Sequence, residues 1–246
     1  MQNIIINTDD FGISKGVNYA VIQANKEGVV NSTTALVCAP EIDHAVELAQ
    51  KNPKLNIGIH LTIDCFECLS KDAQLCNNDG IFYKNAEKSN LRELDESLLL
   101  REWELQISRF KNLFGKLPDH LDSHHNVHPN NETCCKVVKQ LSDKYQIPVR
   151  GLTLGIANSS VNTDFYGEQV SLDNLMGIIA DFEDKEVTNK EIMIHNGYLD
   201  KALENTTTYS YDRIIEHEIL TSDKFKEYLK NNKINIVGFK VKEKNG

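Results

Sequence analysis

The sequence predicts an α/β protein in which a parallel sheet curls into a distorted or incomplete (β/α) barrel, forming a single domain over residues 1–246. Three observations carry this. Short apolar runs alternate with amphipathic helical stretches, and a parallel crossover needs a connection about as long as a helix. The Asp9-Asp10 pair, His60, His124 and His195 fall at the C-terminal ends of different predicted strands, where barrels and open α/β sheets alike carry their chemistry. A barrel brings many such ends around one point, which favours it over an open sheet. Finally, the chain is long enough to bury a sizeable core, and it shows no internal repeat, low-complexity tract or interdomain linker.

Residues 3–7 form a short apolar run of the kind expected for a strand buried on both faces, leading into Thr8-Asp9-Asp10-Phe11-Gly12. Ser14 is placed to cap a helix to about Gly28, with Val17, Val21 and Ala24 facing inward. A strand over 33–38, a helix over 42–50 and a strand over 56–62 follow, the last carrying His60 near its end. From 63 to about 90 the composition turns polar, and Asn77-Asn78-Asp79-Gly80 marks a turn, so a long loop excursion is expected there. A helical period through Leu98, Trp103, Ile107 and Phe110 predicts a helix over 94–114 that Gly115 ends.

Next comes His120-Leu121-Asp122-Ser123-His124-His125-Asn126-Val127-His128-Pro129, which holds four of the eight histidines. Flanked by Pro118 and Pro129, it reads as a strand running into a loop, with His120, Asp122 and His124 on one face. Helices over 131–145, 171–182 and 222–231 and strands over 148–154, 191–195 and 234–239 complete the pattern.

Composition excludes several functions. Lys and Arg total 27 against 36 Asp and Glu, a formal net charge of −9, so a nucleic-acid backbone meets a repulsive average field. The first ten residues lack a signal-peptide pattern, and no run approaches the ~18 apolar residues of a membrane span. A cytoplasmic protein is expected, with a homodimer as the base-rate assembly. Cys38, Cys65, Cys68, Cys76, Cys134 and Cys135 form no regular framework and read as thiols. Cys65-x-x-Cys68 with Cys76 could hold zinc, but no matching second pair follows, so unrelated loop cysteines are the favoured reading.

Imidazoles clustered with carboxylates form a usual first shell for a divalent first-row ion. A solvated, histidine-rich loop is the bland alternative for the central run, a capping role for the Asp9-Asp10 pair, and a hydrogen-bonded core histidine for His60. Two adjacent carboxylates can divide labour, one binding a cation while the other accepts a proton. Asp122 could orient a ligand imidazole. His128 is a candidate ligand or substrate contact, His125 a solvated position, and Arg150 a candidate to orient Asp9 in place of an ordinary surface ion pair.

Asn7-Thr8-Asp9-Asp10-Phe11-Gly12-Ile13-Ser14, Gly58-Ile59-His60-Leu61-Thr62 and the run from His120 to His128 together resemble the YdjC-like carbohydrate deacetylases, which include chitooligosaccharide deacetylases. Asn31-Ser32-Thr33-Thr34-Ala35-Leu36 and Phe165-Tyr166-Gly167-Glu168 extend the resemblance over most of the chain. It implies a barrel related to that of the polysaccharide deacetylases and divalent-metal-dependent removal of acetyl groups from small N-acetylated sugars or oligosaccharides. The family pattern maps metal ligation to Asp10, His60 and His124 and the catalytic base to Asp9, and His195 matches a family histidine near the end of the barrel. It implies one divalent ion, Mg²⁺ by resemblance, with Zn²⁺, Co²⁺, Ni²⁺ or Mn²⁺ suited to the same donors. Two departures stand out: Asn196 follows His195 where the family usually has proline, and the stretch from Asp64 to Cys76 replaces a Gly/Pro-containing segment.

On this reading the metal lowers the pKa of a water and polarises the acetamide carbonyl, Asp9 takes the water's proton, and His195 as a cation protonates the leaving amine. A metal-dependent phosphoesterase and a non-catalytic sugar-binding protein are the alternatives.

Overall fold

The computed structural model describes residues 2–84, 94–182 and 187–241. Among these, the strands are β1 (Gln2–Phe11), β2 (Ser32–Ala35), β3 (Asn56–Leu61), β4 (Leu121–Ser123), β5 (Thr153–Leu154), β6 (Ala157–Asn162), β7 (Asn189–Ile194) and β8 (Ile234–Ile236). The helices are α1 (Lys15–Lys26), α2 (Ile42–Gln50), α3 (Glu96–Phe114), α4 (Val127–Asn130), α5 (Glu132–Tyr145), α6 (Leu172–Ala180), α7 (Lys201–Thr206), α8 (Asp212–Thr221) and α9 (Asp223–Asn231). Strand order is β4-β3-β2-β1-β7-β6-β5, with β8 beside the start of β1. Every pairing is parallel except β5 with β6.

The sheet curls as predicted, and its two edges are bridged by residues 148–154. Leu121 N–H donates to the Pro148 carbonyl and Arg150 N–H to the Leu121 carbonyl, each at 2.9 Å, while Ser159 N–H donates to the Leu152 carbonyl. The single strand expected at 148–154 is therefore split. Its first half lies on β4 and its second on β6, and Gly151 at φ +64 allows the change of direction.

Local signals explain most boundaries. Ser14 accepts from Val17 N–H at the start of α1, and Gly115 ends α3 at φ +72. On α3 it is Leu99, Trp103, Ile107 and Phe110 that are buried, so Leu99 takes the core position expected of Leu98. Each such side chain contributes about 1.5–3 kcal/mol by leaving water. Two apolar layers cover the outside of the curl. One packs Phe11, Ile59, Leu121 and Val138 against α3, and the other packs Ile4, Ile192, Phe165 and Phe225 against α6 and α9.

The inside of the curl is polar. Asn7, Asp9, Ser32, Thr34, His60, Asp122 and Glu191 are all buried there, and buried polar groups persist only when they partner one another. Gly58 leaves room for His120, since a Cβ there would lie 2.4 Å from the imidazole. The loop excursion is described as far as Lys84; residues 85–90 lie outside the described residues. It is tied to α3 through buried Glu102, which accepts from the backbone N–H groups of Leu69 and Ser70. No helix among the described residues is long and apolar enough to cross a membrane.

Candidate active site

Neighbours in a strand point to opposite faces, so Asp9 and Asp10 should diverge. They converge because Asp10 sits at φ +69, where the pairing of β1 with β2 slips between Thr8 and Phe11. A left-handed, non-glycine backbone costs about 1–3 kcal/mol and persists where its surroundings hold it.

The two carboxylates are held by different arginines. Arg150 forks onto Asp9, donating from Nη1 to Oδ2 at 2.7 Å and from Nη2 to Oδ1 at 2.6 Å. Asn7 also donates to Oδ1, at 2.8 Å. Arg213 donates to Asp10 Oδ2 at 2.6 Å. Asp10 Oδ1 is buried and has no hydrogen-bond partner, with His124 Nδ1 at 3.1 Å and His60 Nε2 at 3.6 Å. An oxygen left in that condition among imidazoles is where a cation fits.

His60 is oriented from behind: its Nδ1–H donates to Asp122 Oδ1 at 2.5 Å, turning Nε2 toward Asp9 and Asp10. Such a carboxylate fixes the tautomer of a metal-binding imidazole. Asp10, His60 and His124 each offer a ligand atom, and these atoms lie within 4.8 Å of one another. Two imidazoles and a carboxylate suit a divalent first-row ion.

The histidine run does not continue as one extended face. β4 stops at Ser123, and His124–Asn126 is a 3-10 turn in which His125 and Asn126 adopt φ +55 and +49. His120 therefore stays beneath the site, stacked on Phe239 at 3.8 Å, while His124 is carried into it. His128 turns away, its Nδ1 accepting from Ser123 Oγ at 2.6 Å and its Nε2–H donating to the Arg150 carbonyl at 3.1 Å. His125 is half-exposed as expected, yet it lines the cavity and donates to Asp64.

His195 stands across the cavity with Nε2 3.9 Å from Asp9 Oδ2. Its backbone N–H donates to buried Glu216, which also accepts from Tyr209 Oη. Tyr209 stacks on Tyr166 at 4.0 Å. Arg213, Glu216 and Tyr209 lie in a stretch to which the sequence pattern assigns no element. Their signal lay in Ile215, Ile219 and Leu220, whose spacing marks α8.

Electrostatics follow the partners. Burial, the largest single influence, raises Asp9 and Asp10, but Arg150, His60 and His195 together outweigh it for the first and Arg213, His124 and His195 together for the second, so both lie well below the usual carboxylate range. Burial lowers His60, yet Asp122, Asp9 and Asp10 push it up to about 9, so the metal-free cluster takes up a proton where a cation would sit. Burial pushes Glu191 up to about 7 against the pull of Arg150. Burial also pushes His195 down to about 4, against Asp9 and with help from Arg213, which favours its uncharged imidazole.

These groups open onto a cavity of about 360 Å³ whose far wall is Thr163, Tyr166, Met193, Thr207 and Tyr209. The curled sheet recurs in distantly related solved structures. The Xyl-CE4 domain of a multidomain xylanase from the hindgut metagenome of Trinervitermes trinervoides superposes with a TM-score of 0.52 at 12% identity, over 96% of this chain and 86% of that one. A proposed cellobiose-phosphate cleavage protein from Enterococcus faecalis V583 superposes at 0.88 with 31% identity, over 96% and 97%.

The chain belongs to the YdjC-like protein family, whose profile matches residues 3–231. It is 37% identical to a carbohydrate deacetylase of Halalkalibacterium halodurans over 92% of this chain and 98% of that one. It is 35% identical to a chitooligosaccharide deacetylase of Yersinia pestis over 91% and 92%.

Proposed function

We propose that the protein is a divalent-metal-dependent hydrolase that removes acetyl groups from N-acetylated sugars of the chitooligosaccharide type, releasing acetate and a free amino sugar. The observation that carries this is the unpartnered Oδ1 of Asp10 between His60 and His124, beside a second aspartate clamped in its ionised form. Relatives named carbohydrate and chitooligosaccharide deacetylases support the substrate class.

Asp10, His60 and His124 would hold the ion, which would supply a Lewis acid that acidifies water and polarises the acetamide carbonyl. Mg²⁺ follows the resemblance, and the donors equally suit Zn²⁺, Co²⁺, Ni²⁺ or Mn²⁺. Asp9 accepts the proton of the attacking water at Oδ2, the oxygen that faces His60 and His195 and carries a single Arg150 hydrogen bond. Because His195 is neutral at rest, the proton it gives the departing amine is one it first receives. Asp9 Oδ2, 3.9 Å away, supplies it as the carbon–nitrogen bond breaks. Tyr166, its ring stacked on Tyr209 and its rim exposed, offers a sugar a flat apolar face.

The test is acetate release from N,N′-diacetylchitobiose against phosphate release from a generic phosphoester, with and without added divalent metal after chelation. Metal-dependent acetate release supports the proposal. Phosphate release alone would favour a phosphoesterase, and binding without either product a non-catalytic sugar-binding protein.

A further inference from the structure

The departure from the family in the stretch from Asp64 to Cys76 brings a second group of ligand atoms beside the first. Cys65, His124 and His125 each present one, again all within 4.8 Å of one another. The Cys65-x-x-Cys68 pair is not itself a clamp, because the Cys68 thiol faces Glu102 and Ser70 while the Cys76 thiol donates to the Asp72 carbonyl. Cys65 faces the histidines.

Two further features match what a metal position needs. His125 donates from Nδ1 to Asp64 Oδ2 at 2.8 Å, and Asp64 is itself buried and accepts from Thr62 Oγ1. With Nδ1 carrying the proton, the lone pair of a neutral His125 lies on Nε2, and the bond repeats the brace that Asp122 gives His60. The backbone is also bent into place from both sides, with Phe66 at φ +69 next to Cys65 and with His125 and Asn126 at φ +55 and +49. Strained backbone of this kind is retained where a site depends on it.

We propose that Cys65, His124 and His125 form a second cation position adjacent to the Asp10, His60 and His124 group, with the single lone pair of neutral His124 serving one position at a time, and selective for thiophilic divalent ions such as Zn²⁺ over Mg²⁺. A sulfur ligand gives this preference, because thiolate suits Zn²⁺ and Co²⁺ while Mg²⁺ takes oxygen donors. On binding, the Cys65 thiol releases its proton to solvent and the thiolate donates an electron pair to the ion. The position is independent of the deacetylase proposal, since it concerns occupancy and not turnover.

Co²⁺ titration of the metal-free, full-length protein tests it through the thiolate-to-Co²⁺ charge-transfer absorption. The band is expected in the wild type, in Cys68→Ser and in Asp10→Asn, and is expected to vanish in Cys65→Ser. Alkylation of the wild type, mapped by mass spectrometry, reads the same site without a variant: Cd²⁺ should slow modification of Cys65 tenfold or more while leaving Cys135 unchanged. A wild type without the band, a band that survives Cys65→Ser, or an unprotected Cys65 would overturn the proposal. Loss of the band in Asp10→Asn as well would reduce the two positions to one ion and overturn it equally.

Discussion

Replacing Arg150 by Met removes the one guanidinium that faces three buried carboxylates. Nε donates to Glu191 at 2.8 Å, Nη1 and Nη2 fork onto Asp9, and Nη2 approaches Asp122 Oδ2 at 2.8 Å. All four residues are essentially inaccessible. Breaking a buried ion pair by deleting one partner costs about 3–5 kcal/mol, because the remaining charge is left uncompensated. For a chain of this size that lowers the melting temperature by about 6–20 °C. The deficit depends on pH with a definite sign. In the wild type Asp9 and Asp122 have depressed pKa values, so their stabilisation is present above the unfolded carboxylate pKa and is lost as pH falls through the folded one. Without Arg150, burial is opposed chiefly by the histidines, His60 above all, and those folded values rise. The variant then falls increasingly behind the wild type as pH rises through them, and the two proteins converge on acidification. Urea unfolding followed by the single, buried Trp103 at several pH values measures both effects. A loss below about 1 kcal/mol at neutral pH, or a deficit constant across pH, would show that Arg150 does not hold this cluster together.

Three further outcomes are expected at the site. Asp10→Ala, His60→Ala and His124→Ala should each empty the Asp10, His60 and His124 position, read as metal content of the folded proteins after removal of ions held through Cys65; full occupancy in any one would strike that residue from the ligand set. Asp9→Asn should keep the metal yet lose turnover by about 10²–10⁴, since an amide cannot accept a proton at neutral pH, and loss of metal matching that of Asp10→Asn would refute the division of labour. His195→Ala should slow deacetylation of an N-acetylated sugar about a hundredfold or more while affecting an activated acetate ester far less, because only the amine leaving group needs protonation. Equal losses in both reactions, with metal content unchanged, would remove the general-acid role.

The parts of the fold legible in the sequence are those whose burial is apolar. β1, β3 and β7 stand out because Ile4, Ile6, Ile57, Ile59, Ile192 and Ile194 pack against the helices, and α1 and α3 because Ser14 and Gly115 punctuate them. β6 was not legible: Ala157-Asn158-Ser159-Ser160-Val161-Asn162 has one face toward the polar interior and the other only partly covered, so neither alternation nor an apolar run marks it. α8 was hidden because Arg213, Glu216 and His217 are buried, against the ordinary exposure of such residues. At the site, residue types and family resemblance pointed to Asp9, Asp10, His60, His124 and His195. The turn that lifts His124 out of β4 and the positive φ of Asp10 are tertiary outcomes with no sequence signature at a non-glycine position.

That positive φ is also what makes the two aspartates unequal. Were β1 regular, Asp10 would point into the outer apolar layer and could not meet His60 at all. Turned inward, it meets an arginine that reaches only one of its oxygens, because Arg213 comes from α8 at the rim and touches Oδ2 alone. Arg150 instead comes from the link that closes the curl and lies beneath Asp9, so its planar fork covers both oxygens. One carboxylate thus keeps an oxygen for a cation, while the other is held ionised and immobile next to it. The asymmetry comes from where each arginine enters the barrel and not from the aspartates, whose chemistry is the same. It follows that moving the guanidinium, as Lys at 150 would by offering a single point charge in place of a fork, should disturb Asp9 more than Asp10.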